Sequence, residues 1–464
     1  MSAAAPWAGR RLHFVGIGGA GMSGLALIAH QLGATVTGSD RAESSYTDRL
    51  RAAGIAPAVG HAAANLPDGA EVVVSTAIPE DNPELAAARA AEATVIHRGR
   101  LLGELTALKR SIAIAGTHGK TTTCGMVAHV LRATGRDPAF AIGGELRSAG
   151  SNAGWGEGEW IVAEADESDR SFLELSRDVA VVTNVELDHH ATYASLGDLV
   201  ATFAEFAAPA ATRIAWEGGG ADPAGSGVRE LVAGLGRSGG ATTYGLDAGD
   251  LRAEDVELRP LGARFSVDGV AVELEVPGEH NVLNALAALA ACRAAGVPLV
   301  EAAPALAGFD GTGRRFEGRG VTAAGARVFD DYAHHPTEVR ATLAAARTLD
   351  ADRLVACFQP HLYSRTRELA REFGAALVLA DVVVAVDVYP ARERAEDFPG
   401  VSGLLVAEAA ADAAPGREVW WLPTLAAAER MLAARLGPGD VLMTLGAGDV
   451  DRLAAALTGT GEGT

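Results

Sequence analysis

The sequence predicts an α/β protein built from three domains, and its length and the pattern of its apolar runs support this. The chain has 464 residues, which is too long for one hydrophobic core at the usual size of ~150 residues per domain. Short apolar runs alternate with helical spacers, which is typical of parallel β-α-β units. Boundaries are expected near Leu105–Arg110 and in the glycine- and arginine-rich stretch Gly308–Gly320. The predicted domains are therefore residues 1–107, 108–313 and 314–464.

The predicted strands follow one another along the three blocks. In the first block they are Leu12–Val15, Thr35–Thr37, Val72–Ser75 and Thr94–Ile96. In the second they are Ile112–Ala115, Trp160–Ala163, Val179–Thr183 and Ala271–Val276, with a poorly patterned stretch at Glu217–Gly240 and a helix after His280 and Asn281. In the third they are Val328–Phe329, Leu354–Phe358, Val382–Val388 and Val441–Leu445. Each of the four runs in the third block ends in polar or glycine residues, and open α/β sheets bind ligands outside the carboxyl ends of their strands.

Composition narrows the class of protein. The net charge of −20 argues against a nucleic acid or an acidic membrane as partner. Three well-separated cysteines, Cys124, Cys292 and Cys357, indicate reduced core thiols and a cytoplasmic location. Arg10 and Arg11 superficially resemble a twin-arginine export signal, but a strand, a turn and a helix explain the segment better. No stretch is long and apolar enough to span a bilayer.

The first glycine-rich loop, Gly16–Gly21, fits G-x-G-x-x-G between a predicted strand and a predicted helix. Asp40 ends the next strand, where a ribose-binding acid of a dinucleotide fold would lie. On this region alone an NAD-dependent dehydrogenase is the leading interpretation. A UDP-sugar would place its diphosphate on the same helix N-terminus, so the loop predicts a diphosphate and leaves the ligand open.

The second glycine-rich loop contains Lys120, one of only two lysines among 39 basic residues. A compact ammonium can reach into a phosphate cradle, and the adjacent Thr121 hydroxyl is placed to bind Mg²⁺. A standard Walker loop would have glycine where Ile114 stands; here Gly116 supplies it, which makes the loop a tighter variant.

Acidic residues follow the next two predicted strands. The first group is Glu164, Asp166, Glu167 and Asp169. These carboxylates cannot all ionise in a partly buried cluster without cations, and Mg²⁺ held by one of them and by Thr121 would meet this need. The second group is Asp188, His189 and His190, which indicates a further metal or phosphate contact without deciding which histidine serves. Zinc is less favoured, because no cysteine accompanies them.

In combination, these motifs resemble the ATP-dependent Mur ligases of peptidoglycan synthesis. The resemblance rests on G-I-G-G-A-G-M-S-G, G-T-H-G-K-T-T-T, E-A-D-E-S-D, T-N-V-E-L-D-H, H-N-V-L-N-A, G-T-G-R-R-F-E, D-D-Y-A-H-H-P-T-E and Q-P-H-L-Y-S-R-T. They occur in this order from about Leu12 to Val450. The last three motifs narrow the match to the family member that joins L-alanine to UDP-N-acetylmuramate.

The resemblance implies an N-terminal Rossmann-like domain for the UDP-sugar, a central P-loop ATPase-type domain with a mixed or parallel sheet, and a C-terminal Rossmann-like domain for the amino acid. It assigns the UDP-sugar to Gly18, Gly19, Ala20, Gly21, Ser23, Asp40 and His61. It assigns ATP to Gly116, Thr117, His118, Gly119, Lys120, Thr121, Thr122, Asn281, Asn284 and Arg315. Metal, Mg²⁺ or Mn²⁺, would bind Thr121, Glu164 and His189, and the amino-acid pocket would include Asp331, His334, His361 and Arg365.

The implied reaction begins with attack of the muramyl carboxylate on the γ-phosphate of ATP, and the alanine amine then displaces phosphate from the acyl phosphate. Because both partners of the first step are anions, Lys120, Arg315 and the metals would neutralise charge. His334 could take the amine proton, although a helix-capping turn before Pro336 is an alternative role for this histidine. The family often has arginine where Leu362 stands, so a contact made by that arginine must be absent or supplied elsewhere.

Other functions remain open from the sequence. A murein peptide ligase would attach a preformed peptide to the same UDP-sugar. A dehydrogenase would leave Lys120 and the acidic cluster unexplained, and a non-catalytic ATP-binding sensor would need no second substrate. The protein is expected to be a monomer or a homodimer.

Overall fold

The structure is a computed structural model of the chain, and it describes residues 5–189, 192–218, 223–236 and 240–459. The chain forms two compact units. The first comprises Met1–Glu254, Val267–Val270 and Leu283–Phe309, and the second Asp255–Ser266, Ala271–Val282 and Asp310–Thr464.

The first unit begins with a parallel sheet in the order β3-β2-β1-β4-β5. Its strands are β1 (Arg11–Val15), β2 (Thr35–Asp40), β3 (Ala58–Val59), β4 (Glu71–Val74) and β5 (Val95–His97). Its helices are α1 (Ala20–Gln31), α2 (Ser45–Ala52), α3 (Pro83–Ala90) and α4 (Arg98–Thr106). The strand order reverses at β1, so a ligand crevice is expected at its carboxyl end. The four predicted strands are present, and β3 adds a two-residue strand too short to leave a pattern in the sequence.

A second sheet of the same unit has the order β13-β12-β11-β10-β6-β9-β7-β8 and is parallel except for the pair β7 and β8. Its strands are β6 (Arg110–Ala115), β7 (Ala139–Leu146), β8 (Ser151–Gly154), β9 (Trp160–Glu164), β10 (Val179–Val182), β11 (Thr212–Trp216), β12 (Thr242–Gly245) and β13 (Leu251–Arg252). Its helices are α5 (Lys120–Ala133), α6 (Leu196–Ala207) and α7 (Pro223–Gly236). Strands β6, β9 and β10 are buried along nearly their whole length.

Helix α7 lies in the stretch Glu217–Gly240 that has no clear pattern in the sequence. Val228, Leu231 and Leu235 are buried at helical spacing, but the glycines and alanines around them hide the period. Beyond α7 lie a three-stranded sheet in the order β14-β15-β16 and two helices: β14 (Glu254–Arg259), β15 (Gly262–Val267), β16 (Val270–Leu274), α8 (Glu279–Ala294) and α9 (Leu299–Leu306).

The second unit contains a sheet in the order β17-β18-β22-β19-β20-β21, parallel except for the pair β17 and β18. Its strands are β17 (Glu317–Val321), β18 (Arg327–Asp331), β19 (Arg353–Phe358), β20 (Val382–Ala385), β21 (Glu418–Trp421) and β22 (Asp440–Leu445). Its helices are α10 (Pro336–Ala346), α11 (Tyr363–Leu377), α12 (Gly403–Ala413), α13 (Leu425–Arg435) and α14 (Asp451–Thr458). Strand β20 ends three residues before the predicted Val388, because the chain turns there to bring Tyr389 against His361.

The predicted α/β class is therefore confirmed, with mostly parallel sheets covered by helices. Cys124, Cys292 and Cys357 are buried and unpaired with one another. Among the described residues, no helix combines the length and hydrophobicity needed to cross a membrane.

Candidate active site

The first glycine-rich loop lies between β1 and α1, at the carboxyl edge of the first sheet. The Gly18 N–H donates to Asp40 Oδ2 at 2.8 Å. A Cβ at Gly18 would lie 2.9 Å from Thr47 Cγ2 and 3.0 Å from Asp40 Oδ2, so a larger residue would push the loop outward. Because α1 begins at Ala20, its N-terminal N–H groups open toward this loop and favour an anion such as a diphosphate. Asp40 thus stabilises the loop by a hydrogen bond to its backbone.

Ser23 lies farther along α1, where this helix packs against β8. Its Oγ donates to the Ala20 carbonyl at 3.0 Å, and Asn152 Nδ2 donates to Ser23 Oγ at 3.4 Å. The Asn152 amide also donates to the Ala20 carbonyl at 2.6 Å. Ser23 is therefore bound into the packing of the first sheet against the second, and its contact with a UDP-sugar stays a prediction.

His61 follows β3 and is tied to a buried carboxylate that sequence reasoning missed. Its Nδ1 lies 2.8 Å from Ser39 Oγ, and Ser39 Oγ donates to Glu84 Oε2 at 2.5 Å. Burial alone would raise the pKa of Glu84, but hydrogen bonds from His13, Ser39 and neighbouring groups outweigh it and lower the pKa to about 2. In the sequence, Glu84 is simply an acid in the first turn of a helix, so nothing there marks it as buried.

A cavity of about 180 Å³ extends between the first and second sheets of the first unit. Gly21 and Arg98 line it from the first sheet, and Gly143, Glu164 and Asp166 line it from the second. It therefore joins the start of α1, where a diphosphate is expected, to the carboxylate of Glu164.

Arg98 is a second residue that sequence reasoning missed. Its Nη2 lies 2.7 Å from Asp166 Oδ2 and 3.6 Å from Asp169 Oδ2. Burial acts to lower the pKa of Arg98, yet its neighbours Asp166 and Asp169 raise it, so the cation persists in the cavity wall. Arg98 directly follows β5, and the rule that ligands gather at carboxyl ends of strands could have found it.

The second glycine-rich loop connects β6 to α5 and contains the predicted residues Gly116, Thr117, His118, Gly119, Lys120, Thr121 and Thr122. Lys120 Nζ donates to the carbonyls of Gly116 at 2.6 Å and Thr117 at 3.1 Å, and it lies 2.9 Å from Glu167 Oε2. Burial would lower the pKa of Lys120, but Glu167, Asp166 and Glu164 outweigh it and raise the pKa. The ammonium therefore remains charged inside the loop.

Thr121 and Glu164 form the donor set that could hold a metal. Thr121 Oγ1 lies 3.0 Å from both Glu164 carboxylate oxygens, and the Gly143 N–H donates to Glu164 Oε2 at 2.7 Å. A hydroxyl and a carboxylate are hard oxygen ligands of the kind that Mg²⁺ prefers. Two donors already fix the Glu164 carboxylate in place, so these residues fit a divalent cation.

His189, the third predicted metal ligand, lies beside Glu167, the ion-pair partner of Lys120. Its Nε2 is 3.7 Å from Glu167 Oε1 and 3.8 Å from Asp188 Oδ2. Its φ of +56° is unusual for a residue other than glycine, which is a strain often found at functional sites. His190 falls outside the described residues.

Other predicted ATP contacts lie around the same loop. His118 Nε2 is 2.9 Å from Glu186 Oε2, and the His118 N–H donates to Asn184 Oδ1 at 2.8 Å. Asn284 Oδ1 accepts from Thr123 Oγ1 at 3.3 Å and would lie 2.3 Å from a Cβ at Gly119. Asn284 therefore packs against the second glycine-rich loop, and its contact with ATP stays a prediction.

In the second unit, Asn281 is in the first turn of α8, and its Nδ2 donates to the Pro277 carbonyl at 2.7 Å. Arg315 precedes β17, Asp331 is the last residue of β18, and His334 follows that strand. Arg315 is 5.3 Å from the Tyr332 ring centroid. Burial raises the pKa of Asp331 to about 6, although Arg315 opposes the rise.

His334 has a defined hydrogen-bonding pattern. Its Nδ1 lies 3.0 Å from the Tyr332 carbonyl and 3.4 Å from Glu338 Oε2. A carbonyl oxygen can only accept, so Nδ1 carries the proton of the neutral ring and Nε2 is the basic nitrogen. Glu338, which sequence reasoning missed, also lies 3.9 Å from Arg315 Nη1.

His361 and Arg365, the remaining predicted pocket residues, adjoin His334. The His334 and His361 ring centroids are 5.9 Å apart, and His361 stacks on Tyr389. Arg365 Nη1 lies 3.4 Å from His361 Nδ1. Leu362 is buried with a φ of +71°. Because leucine is uncharged, it does not replace the arginine that the family often has there.

Comparisons with known proteins identify the family of the chain. Three family models match in order: the Mur ligase family catalytic domain at residues 11–110, the middle domain at 114–292 and the glutamate ligase domain at 314–448. A UDP-N-acetylmuramate–L-alanine ligase of Rubrobacter xylanophilus is 47% identical over 96% of this chain and 99% of its own length. The chain belongs to the Mur ligase family.

Further relatives are consistent with this membership. The UDP-N-acetylmuramate–L-alanine ligase of Streptomyces coelicolor is 47% identical over 98% of both chains. The crystal structure of the UDP-N-acetylmuramate-alanine ligase of Thermotoga maritima superposes with a TM-score of 0.83 at 31% identity, covering 97% of this chain and 98% of that one. A murein peptide ligase of Psychrobacter arcticus has a TM-score of 0.73 at 26% identity, covering 97% and 99%. These findings do not favour the dehydrogenase interpretation of the first loop.

Proposed function

We propose that this chain is an ATP-dependent ligase that joins L-alanine to the carboxylate of UDP-N-acetylmuramate and releases ADP and phosphate. The observation that carries the proposal is the cavity between Gly21 and Glu164. A UDP-sugar whose diphosphate rests on the first loop would extend through this cavity toward the second loop. Its carboxylate would then reach the Thr121 and Glu164 oxygens that fit a divalent cation.

The first step is phosphoryl transfer between two anions. Lys120 would hold the γ-phosphate once phosphate oxygens replace the loop carbonyls that it now contacts. A Mg²⁺ or Mn²⁺ ion held by Thr121, Glu164 and His189 would supply further positive charge. Arg98, in the cavity wall, would keep the substrate carboxylate from being repelled by Asp166 and Asp169.

In the second step the amine must lose a proton as it adds to the acyl phosphate. His334 Nε2 would accept that proton, because Nδ1 is committed to the Tyr332 carbonyl. Glu338, 3.4 Å from Nδ1, would stabilise the resulting imidazolium. Arg365 beside His361 is the cation best placed to bind the carboxylate of the amino acid.

The domain limits, the location, the oligomeric state and the substrates belong to the same proposal. The domain limits 1–107, 108–313 and 314–464, the cytoplasmic location and a monomeric or homodimeric state remain predictions. ATP, UDP-N-acetylmuramate and L-alanine are the proposed substrates.

A phosphate-release assay tests the proposal, with ATP and UDP-N-acetylmuramate held fixed while the amine is varied. Release that depends on L-alanine, with product of the expected mass, is the expected result. Release only with a preformed tripeptide would instead indicate a murein peptide ligase. Release that is independent of both co-substrates would indicate an ATPase or sensor.

A further inference from the structure

Glu84 is a fully buried carboxylate at the start of α3, outside the two glycine-rich loops. Three groups donate hydrogen bonds to it, Ser39 Oγ at 2.5 Å, Asn65 Nδ2 at 2.6 Å and the Ala62 N–H at 3.0 Å, and His13 Nε2 lies 3.3 Å away. A buried carboxylate is tolerated as an anion only with such a set of donors. Glu84 is therefore ionised, and both of its oxygens can only accept hydrogen bonds.

This charge decides the direction of the next hydrogen bond. Ser39 has one hydroxyl proton and two close neighbours, Glu84 Oε2 and His61 Nδ1, the latter at 2.8 Å. Because Glu84 cannot donate, the Ser39 proton points to Glu84. The Ser39 oxygen must then accept from His61, which requires that Nδ1 carries the proton. In the neutral ring, His61 Nε2 is left as a hydrogen-bond acceptor.

The ring lies at the carboxyl ends of β2 and β3, and Ser39 links it to the first glycine-rich loop. The Ser39 carbonyl accepts from the N–H groups of Gly16 and Ile17 in the first loop. The Gly60 N–H, beside His61, donates to the Asp40 carbonyl at 2.7 Å. His61 remains partly exposed, with 21% of its side chain accessible. Ser39 thus contacts the first glycine-rich loop through its carbonyl and His61 through its hydroxyl.

We propose that Glu84, through Ser39, sets the His61 tautomer so that Nε2 accepts the N3–H of uracil and the site selects uracil over cytosine. The inference rests on the proposed function, in which the first sheet binds a UDP-sugar. Uracil has a donor at N3, whereas cytosine has an acceptor there. Ribose hydroxyls can donate or accept, so recognition of the ribose would need no fixed tautomer. Glu84 and Ser39 are positioning residues in this scheme.

The hydrogen bonds from His61 to Ser39 and from Ser39 to Glu84 form a relay. The substitution Glu84→Gln reverses the direction of both bonds and keeps the shape of the side chain. The amide oxygen can keep the hydrogen bonds from Asn65 and Ala62, while the amide NH₂ faces Ser39. The Ser39 proton then turns to His61 Nδ1, and the ring proton moves to Nε2. A donor at Nε2 matches N3 of cytosine and opposes N3–H of uracil. We expect the preference for UDP over CDP to fall by ~10–100-fold, the usual effect of one mismatched buried hydrogen bond.

Isothermal titration of UDP and of CDP would measure this preference in the wild type, in Glu84→Gln and in Ser39→Ala. The matched control is Glu80→Gln, because Glu80 precedes the same helix and its carboxylate is exposed, paired with Arg89. Ser39→Ala removes the link and should reduce the preference without reversing it, which keeps the test valid if Glu84→Gln folds poorly. The control should match the wild type.

The tautomer itself is measured by the ¹⁵N chemical shifts of the His61 ring. Protonated Nδ1 and unprotonated Nε2 in the wild type, with the opposite pattern in Glu84→Gln, is the expected result. Equal weakening of UDP and CDP in Glu84→Gln, or a protonated Nε2 in the neutral wild-type ring, would overturn the inference. A wild type that binds neither UDP nor UDP-N-acetylmuramate would overturn the proposed function, while the ring shifts would still test the relay.

Discussion

The two glycine-rich loops of the first unit have the same backbone plan and opposite electrostatics. Each follows the parallel strand at the middle of its sheet and leads into a helix N-terminus. In the first loop the charged neighbour is an acid, Asp40, which accepts a hydrogen bond from the Gly18 N–H. In the second, Lys120 and Thr121 enter the loop and contact Glu167 and Glu164. The first loop offers backbone donors alone, and the second adds charges.

This difference follows from what each loop does to its phosphate under the proposed function. A diphosphate that is only bound keeps its charge through the reaction, so uniform binding by N–H groups is sufficient. A phosphoryl group in transfer redistributes charge, and preorganised charges then lower the barrier. We therefore expect substitutions in the second loop to affect kcat and substitutions in the first to affect substrate binding.

The largest expected effect is that of Lys120→Arg. A planar guanidinium cannot take the place of an ammonium that contacts the Gly116 and Thr117 carbonyls and Glu167 at once. We expect kcat to fall by ~10²–10³-fold, as for loss of one transition-state contact. Phosphate-release kinetics would measure it, and UDP-sugar affinity should be unchanged.

The control for this variant is Lys109→Arg, the other lysine of the chain. Lys109 bonds the Gly156 carbonyl at 2.8 Å and also the Gly158 carbonyl, and it lies over the Trp155 ring, away from both loops. The Lys109→Arg variant should retain the wild-type kcat. Near-normal turnover in Lys120→Arg would contradict the division between the loops.

Thr121→Val should have the next largest effect. Valine keeps the shape and removes the hydroxyl that lies 3.0 Å from both Glu164 oxygens. With one hard oxygen ligand lost, we expect kcat to fall ~10-fold and the Mg²⁺ concentration for half-maximal activity to rise. Titration of activity with Mg²⁺ measures this. An unchanged Mg²⁺ requirement would show that Thr121 does not serve the metal.

Gly18→Ala tests the first loop. The added Cβ would be 2.9 Å from Thr47 Cγ2 and 3.0 Å from Asp40 Oδ2, so the loop must shift away from α2 and Asp40. We expect the Kd for UDP-N-acetylmuramate to rise by ~10-fold, the cost of weakened hydrogen bonds to a charged ligand, with kcat at saturation retained. Gly437→Ala, where an added Cβ meets nothing within 4 Å, is the control. A loss confined to kcat would reverse the comparison.

The sequence predicted the two loops well because their chemistry is local. Glycine turns between a buried strand and a helix are read along the chain, and so are the acids after β9. The fold class followed from the same alternation of strands and helices. Helix α7 escaped prediction because glycine and alanine supply little periodicity around Val228, Leu231 and Leu235.

The supporting charges could not be predicted in the same way. Glu84 is 45 residues from Ser39 and 23 residues from His61 in the sequence, and only the packing of α3 on the sheet makes it buried. Glu338 beside His334 is within one helical turn, yet the same spacing occurs on any solvated helix. Motifs therefore indicated the groups that are proposed to contact ligands, whereas the groups that orient those residues were found only from the fold.

Glu84→Gln should also have a small, pH-dependent effect on stability. In the fold the pKa of Glu84 is about 2, against an ordinary value of 4.5, so the unfolded chain binds its proton more tightly than the folded protein does. The stabilisation is then present above the ordinary pKa and is lost as pH falls toward the folded value. Between about pH 5 and pH 3, wild type should lose ~1–3 kcal/mol more than Glu84→Gln does. Urea-unfolding midpoints across this range would measure the difference. Glu80→Gln should follow the wild type, and parallel pH curves for wild type and Glu84→Gln would mean that the charge supporting the first loop is not held at Glu84.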